Sequence, residues 1–364
     1  MRRWFLLAHR WLTLSAGVFI LLLSLSGAAL SFEDEVDRAL NPGLWSVTPG
    51  AAAVSLDTLV AHAQAAAPGK VVTGVMPSPE PDVASLLTTR DGLQIFLNPH
   101  TGAVLGTRTA AARAREPLSV VGRLHRSLLL GRPGNVIVGL TTIVSLVLLL
   151  SGAVLWWRDK IWRVRLSASW KLAVFDLHHL LGVAAVVVLV AQTGTGVAMG
   201  YRIVGRVISR LDRGASSSSP REAQVSATGA PAIALDEAAR VARMALPGTV
   251  LMHLLVPPDP KQPLTAAVRF SEDRVSAPRS RVVIDRYRGI PLQVVSTRSS
   301  GLGTRINVLK GQLHVGSVWG TPTLVIWFLA ALAMAGQVVT GLLMWWNGRP
   351  ARKAAGARGE PAPA

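Results

Sequence analysis

Residues 124–157 read LHRSLLLGRPGNVIVGLTTIVSLVLLLSGAVLWW. The run from 134 to 157 carries no charge. A helix rising 1.5 Å per residue needs about 20 such residues to cross a hydrocarbon core of ~30 Å, so this run is long enough to span a membrane. A histidine precedes it, a Ser-Gly step lies near its far end and a Trp-Trp pair closes it. Residues 313–346, LHVGSVWGTPTLVIWFLAALAMAGQVVTGLLMWW, repeat the order: His314, an apolar run, Thr340-Gly341, Trp345-Trp346. Two more apolar runs, 11–32 and 180–201, have a histidine at the start and Ser/Thr-Gly steps inside. The first follows His9 and holds Ser26-Gly27. The other follows Asp176-Leu177-His178-His179 and holds Thr193-Gly194-Thr195-Gly196.

Working outward, the chain divides into a first span (1–32), an outer unit (33–133), a second span (134–157) and a basic loop (158–176). A third span (177–201), a second outer unit (202–320), a fourth span (321–346) and a tail (347–364) complete it. Half of the 364 residues are apolar, which excludes the ordinary soluble classes. The first run is too long for a signal peptide core and is expected to be an uncleaved span. Short basic stretches before the first span, between the second and third and after the fourth put both termini on the cytoplasmic side. The long segments then face outward. The first balances nine basic against nine acidic residues, whereas 202–320 holds seventeen against eight. That excess fits anionic headgroups or the steering of an anionic substrate. No basic-aromatic motif points to nucleic acid.

The outer segments are also written twice. Each has an alanine-rich helix with an aspartate near its start (Asp57, Asp236), then a Pro-Gly turn, then β-rich runs broken by turn residues. Each reads as one helix, capped by its own aspartate, on a small antiparallel meander. Residues 215–220, rich in serine, read as a linker.

The histidines carry the chemistry. His9 opens the first helix, His178 the third, and His125 and His314 lie just before the second and fourth. Alternating helices place two at each membrane face, as two stacked six-coordinate haems require. A two-fold relation of the halves pairs His9 with His178 and His125 with His314. The chain has no cysteine, so covalent haem attachment, iron–sulfur clusters and disulfides are excluded and haem must be of the b type. Thr13 and Gly182, each four residues after a histidine, leave room for a flat macrocycle. His179 points about 100° away from His178 and is the weaker ligand candidate. Arg126, Arg132 and Arg10 suit haem propionates or headgroups equally. Asp176 either orients a ligand imidazole or caps the third helix. The Trp pairs read as interfacial belts, and His62, His100 and His253 as structural or surface residues.

These residues carry a resemblance. His9-Arg10-Trp11, Leu124-His125-Arg126-Ser127-Leu128, Asp176-Leu177-His178, Leu313-His314-Val315-Gly316 and the two outer units resemble the bacterial PepSY-associated transmembrane family over about residues 4–348. The resemblance implies a membrane α+β fold: four transmembrane helices in two tandem repeats, each pair flanking a periplasmic PepSY-like unit, in the bacterial inner membrane. Some members are ferrisiderophore reductases. It therefore implies a di-haem electron conduit reducing a periplasmic ferric siderophore to Fe(II), fed by a quinol or a cytoplasmic donor. A PepSY-bearing membrane regulator without redox activity, or a siderophore permease, are the alternatives.

Overall fold

The structure is a computed structural model that describes residues 2–50, 52–165, 169–212, 225, 231–271 and 280–348. The linker at 215–220 and the tail from 349 onward lie outside the described residues. The first half runs α1 (Arg2–Leu30), α2 (Glu33–Leu40), α3 (Pro42–Trp45) and α4 (Leu56–Ala66). Strands β1 (Val72–Met76), β2 (Ser85–Thr89), β3 (Gln94–Leu97) and β4 (Val104–Arg108) follow. Then come α5 (Ala110–Arg115), α6 (Pro117–Ser127) and α7 (Arg132–Asp159). The second half runs α8 (Trp170–Gly200), α9 (Arg202–Ser209), α10 (Leu235–Ala245), and strands β5 (Thr249–Leu255), β6 (Leu264–Phe270), β7 (Ser280–Ile284) and β8 (Pro291–Val295). It ends with α11 (Leu302–Val315), a 3-10 turn at Ser317–Trp319 and α12 (Thr321–Asn347).

Helices α1, α7, α8 and α12 are long and apolar enough to cross a membrane. They close a ring: α1 packs on α7 and α12, and α8 packs on the same two. Ala16, Ile20, Leu148, Leu149, Ala185, Leu189, Ala330, Met334 and Val338 meet in its core. The outward faces stay apolar; Val187 is 78% exposed. Such a surface is stable against lipid and not against water.

Two helices begin earlier than their apolar runs. Helix α1 starts at Arg2 rather than 11, and α8 at Trp170 rather than 177–180. Residues 170–176, placed in the basic loop by hydropathy, are therefore helical. Arginine, leucine, lysine and alanine are good helix formers whatever their polarity. His9 and His178 consequently lie about two turns inside their helices rather than opening them. Spans α7 and α12 start within two residues of expectation. Gly131 (φ 63°, ψ −133°) and Gly320 (φ 73°, ψ −154°) turn the chain into them. That backbone region is open essentially to glycine alone.

The two outer units are not separate sheets. All eight strands form one antiparallel sheet in the order β4-β3-β2-β1-β5-β6-β7-β8. Its joint pairs Gly74 with Leu255 and Val75 with Leu254. Helices α4 and α10 share one core beneath it, with Leu59, Val75, Leu87, Leu254, Leu264 and Val268. Over the other face of the first half, Trp45 meets Phe96 edge-on at 4.9 Å. Neither aspartate caps its own helix. Asp236 accepts from Leu56 N (3.1 Å) and Asp57 N (3.3 Å), while Asp57 accepts from Leu235 N (3.0 Å) and Asp236 N (3.2 Å). Close approach of the two N-termini makes this exchange possible, and Ser55 supplies the local cap of α4 through Thr58 N (3.0 Å).

Candidate functional site

Each of the four repeat-placed histidines lies against a Ser-Gly or Thr-Gly step on a neighbouring helix. His9 on α1 meets Ser151 of α7 (Nδ1 to Oγ, 2.9 Å), and His178 on α8 meets Thr340 of α12 (Nδ1 to Oγ1, 2.9 Å). His125, in the last turn of α6, has its Nδ1 3.0 Å from Leu23 O and 3.1 Å from Ser26 Oγ of α1. His314, in the last turn of α11, has its Nδ1 2.8 Å from Gln192 O and 3.4 Å from Thr195 Oγ1 of α8.

The hydroxyls decide the proton positions. Ser26 donates to Leu22 O, Ser151 to Leu148 O, Thr195 to Ala191 O and Thr340 to Gly336 O. Each hydroxyl proton is thus committed to its own helix, and the oxygen is left to accept. Carbonyls only accept. His125 and His314, each facing a carbonyl, carry a proton on Nδ1, and the same tautomer satisfies His9 and His178 against oxygens whose protons are already used; in that form Nε2 keeps its lone pair. None of the four Nε2 atoms has a hydrogen-bond partner among the described residues.

The glycine of each step makes room. A Cβ on Gly27 would lie 3.0 Å from His125 Cε1, and one on Gly196 3.1 Å from His314 Cε1. At Gly152 and Gly341 the distance to His9 or His178 Cε1 is 3.4 Å. The Ser/Thr-Gly pairs, legible in sequence only as sites of close helix approach, are the seats of the histidine rings.

The histidines meet across the halves at two levels. The rings of His125 and His314 stand 6.2 Å apart, tilted by 52°. Imidazole nitrogens about 2.0 Å from one shared metal would place ring centroids roughly 6 Å apart. At the other level His9, His178 and His179 line one cavity of about 540 Å³, with Thr13, Gly182, Phe175, Trp156, Trp157 and Gln337 also in its wall. Leu148, Leu149, Val183 and Val186 make the rest largely apolar. No group of three or more His, Cys, Asp or Glu side chains is arranged to hold a metal among the described residues. Paired imidazoles in an apolar setting suit a metal that brings its own equatorial donors, as a haem does.

His179 turns Nδ1 to its own helix, 2.8 Å from Phe175 O, with its ring 6.0 Å from that of His178. Arg126 and Arg132 are exposed, and Arg10 lies over the Trp11 ring at 5.8 Å. Asp176 neither orients an imidazole nor caps α8. It is fully buried in the second turn and holds Arg165 through Nη2 (2.6 Å) and Nε (2.8 Å), pinning the basic loop to the helix. Trp157 and Trp346 are 67% and 64% exposed, while Trp156 donates to Ile161 O. His62 and His100 are engaged by backbone carbonyls of Gly102, Ala52 and Pro81. His253, over Gly74 of the sheet, has a buried Nε2. Sequence reasoning missed Gln337, whose amide donates to His178 O. Its signal was available: a lone amide inside an otherwise apolar span.

One network joins the sheet to α6. Arg108, 8% exposed at the end of β4, is bonded to Gln94 Oε1 (3.0 Å), to Asp37 of α2 (2.8 Å) and to Glu116, which precedes α6 (3.2 Å). The Arg108 hydrogen bonds hold the Asp37 carboxyl below the ordinary carboxylate range against the opposing effect of burial.

Among known proteins, the chain is similar to an uncharacterized protein of Pseudomonas aeruginosa, 36% identical over 94 residues. That match covers 25% of this chain and spans 24% of the relative's length. The family described as the PepSY-associated TM region matches residues 6–347. With four helices long and apolar enough to cross a membrane, an antiparallel sheet, and a match over nearly its whole length, the chain belongs to the PepSY-associated transmembrane family.

Proposed function

We propose that this protein conducts electrons across a membrane by holding b-type haem at two levels, between His9 and His178 and between His125 and His314. The observation that carries the reading is the common seating of the four rings. Each Nδ1–H is held by a neighbouring helix, so each Nε2 is prepared as a donor. A hydrogen bond at the far nitrogen orients a ligand imidazole and raises its basicity. Bound there, haem would supply one-electron transfer. The chain's own part is to supply ligands, to keep water from the inner cavity with aliphatic side chains, and to fix the spacing of the levels through four packed helices. His179 is the reserve ligand at the inner level, and Arg126 a neighbour for an outer propionate.

The topology we infer is that of the bacterial inner membrane, with both termini and the basic stretch between α7 and α8 cytoplasmic. The sheet is then periplasmic. The electron source is a quinol or a cytoplasmic reductant, and the acceptor a periplasmic ferric chelate of the siderophore class. One electron converts Fe(III) to Fe(II), a softer ion that hard oxygen donors grip less. The basic excess of the second outer segment favours anionic chelates.

The test is a reduced-minus-oxidised spectrum of protein purified from haem-replete cells. A low-spin b-type spectrum is expected, with haem extractable by acid acetone. His125→Ala and His314→Ala should each remove the same component, and His9→Ala and His178→Ala the other. A colourless preparation would end this reading in favour of a membrane regulator with structural histidines.

A further inference from the structure

Helix α9 leaves the end of α8 with two stripes on it. Arg202, Arg206 and Arg210 recur every fourth residue, and Ile203, Val207 and Leu211 recur one position later. The turn continues past Ser209, since Leu211 N donates to Ile208 O (3.0 Å). Residues four apart share a helix face, so a basic edge runs beside an apolar edge. All six side chains are exposed, the apolar three at 54, 52 and 55%. The three guanidiniums make no ion pair or hydrogen bond among the described residues.

The opposite face is occupied. Asn307 of α11 donates to Gly205 O (3.0 Å) and Ser209 Oγ (3.0 Å), and Gly303 lies under the Ile208 carbonyl. The start of α9 is also tied to α7. Tyr201, at the turn from α8, brings its hydroxyl against Gly139, about two turns inside α7. The start of α9 is therefore held within a tyrosine's reach of the outer turns of α7, beside the ends of two helices long and apolar enough to cross a membrane. An exposed apolar edge there meets acyl chains, and the basic edge beside it meets headgroups. The position alone does not dictate this. The helix that follows the first span, α2, carries Glu33, Asp34 and Glu35 in its first turn.

We propose that α9 is a binding site for anionic phospholipid. Ile203, Val207 and Leu211 would seat in the acyl region, while Arg202, Arg206 and Arg210 take the headgroup phosphates by charge-assisted hydrogen bonds. Because α9 braces α11, whose last turn bears His314, bound lipid stiffens the outer histidine level. The inference does not depend on haem.

The test uses the full chain in nanodiscs of phosphatidylcholine alone or with phosphatidylglycerol. Native mass spectrometry counts retained lipid, and thermal unfolding reads stability. Wild type should retain phosphatidylglycerol preferentially and unfold at higher temperature in its presence. Arg202→Gln/Arg206→Gln/Arg210→Gln should lose the preference, on the order of fivefold for each arginine removed. Arg158→Gln/Arg163→Gln, at the end of α7 and in the loop that follows it, should keep it. Should the triple variant not fold, Arg206→Gln alone should show the single-step loss. Retention of the preference in the arginine variants, or none in wild type, overturns the proposal. So does equal stabilisation of the phosphatidylcholine sample by inorganic phosphate, which would make the site one for the free ion.

Discussion

At the residue scale, the seat beneath each imidazole is made by the absence of a side chain. Gly27 and Gly196 have the least room to spare, with a Cβ falling at 3.0 and 3.1 Å from the rings they support. Gly27→Val and Gly196→Val should therefore unseat His125 and His314 and abolish the outer haem component while sparing the inner one. Gly194→Ala, two residues from Gly196 but facing open space, should leave the spectrum intact and stabilise α8 by about 0.5–1 kcal/mol. Loss of signal in Gly194→Ala, or its survival in the valine variants, would refute the seating argument. Arg108 offers a second residue-scale test. Removing it leaves part-buried Asp37 with its Asn41 and Trp45 bonds alone, at a cost of about 1.5–3 kcal/mol read by denaturant unfolding. The sign of the pH dependence follows from a depressed carboxyl. Asp37 contributes in full above its unfolded pKa of about 3.9 and loses that contribution as pH falls through the lower folded value. Wild type should thus lose stability on acidification in that window, and Arg108→Ala, with the partner gone, should lose less.

At the element scale, the spans were legible because their apolar runs exceed twenty residues, and the Trp pairs and histidines marked their ends. The starts of α1 and α8 were not, because Arg2–Arg3 and Trp170–Asp176 are helical by propensity without being apolar. The caps show a different limit. Asp57 and Asp236 have the right chemistry in the right place, yet sequence spacing points each to its own helix. Only the meeting of two N-termini from opposite halves makes them exchange partners. The exchange predicts a crossed signature in amide hydrogen exchange. Asp57→Ala should speed exchange at Leu235 and Asp236, and Asp236→Ala at Leu56 and Asp57, each at a cost of about 1 kcal/mol. Faster exchange in the mutated residue's own helix alone would show the ordinary cap instead.

At the scale of the whole molecule, the sequence showed two similar halves, and their histidines were legible as a set because they occupy matching slots. What it did not show is that the outer halves complete one another. The β1–β5 joint pairs strands from opposite halves, about 180 residues apart, so nothing local in the sequence marks it as the place of union. Leu254, fully buried where the two halves share their core, tests the union. Leu254→Ala should cost about 2–5 kcal/mol and loosen α4 as well as α10; protection lost in α10 alone would mean two independent units. The joint also sets a timetable. Val75 and Leu254 are about 180 residues apart in the chain, and ribosomes add roughly 5–20 residues per second. For roughly ten to forty seconds of synthesis, β1 is therefore a finished strand with an open edge and no mate, while two spans are still being inserted. An open edge of that kind invites mispairing with whatever strand is near. The longer elongation takes through α7 and α8, the longer that edge stays open.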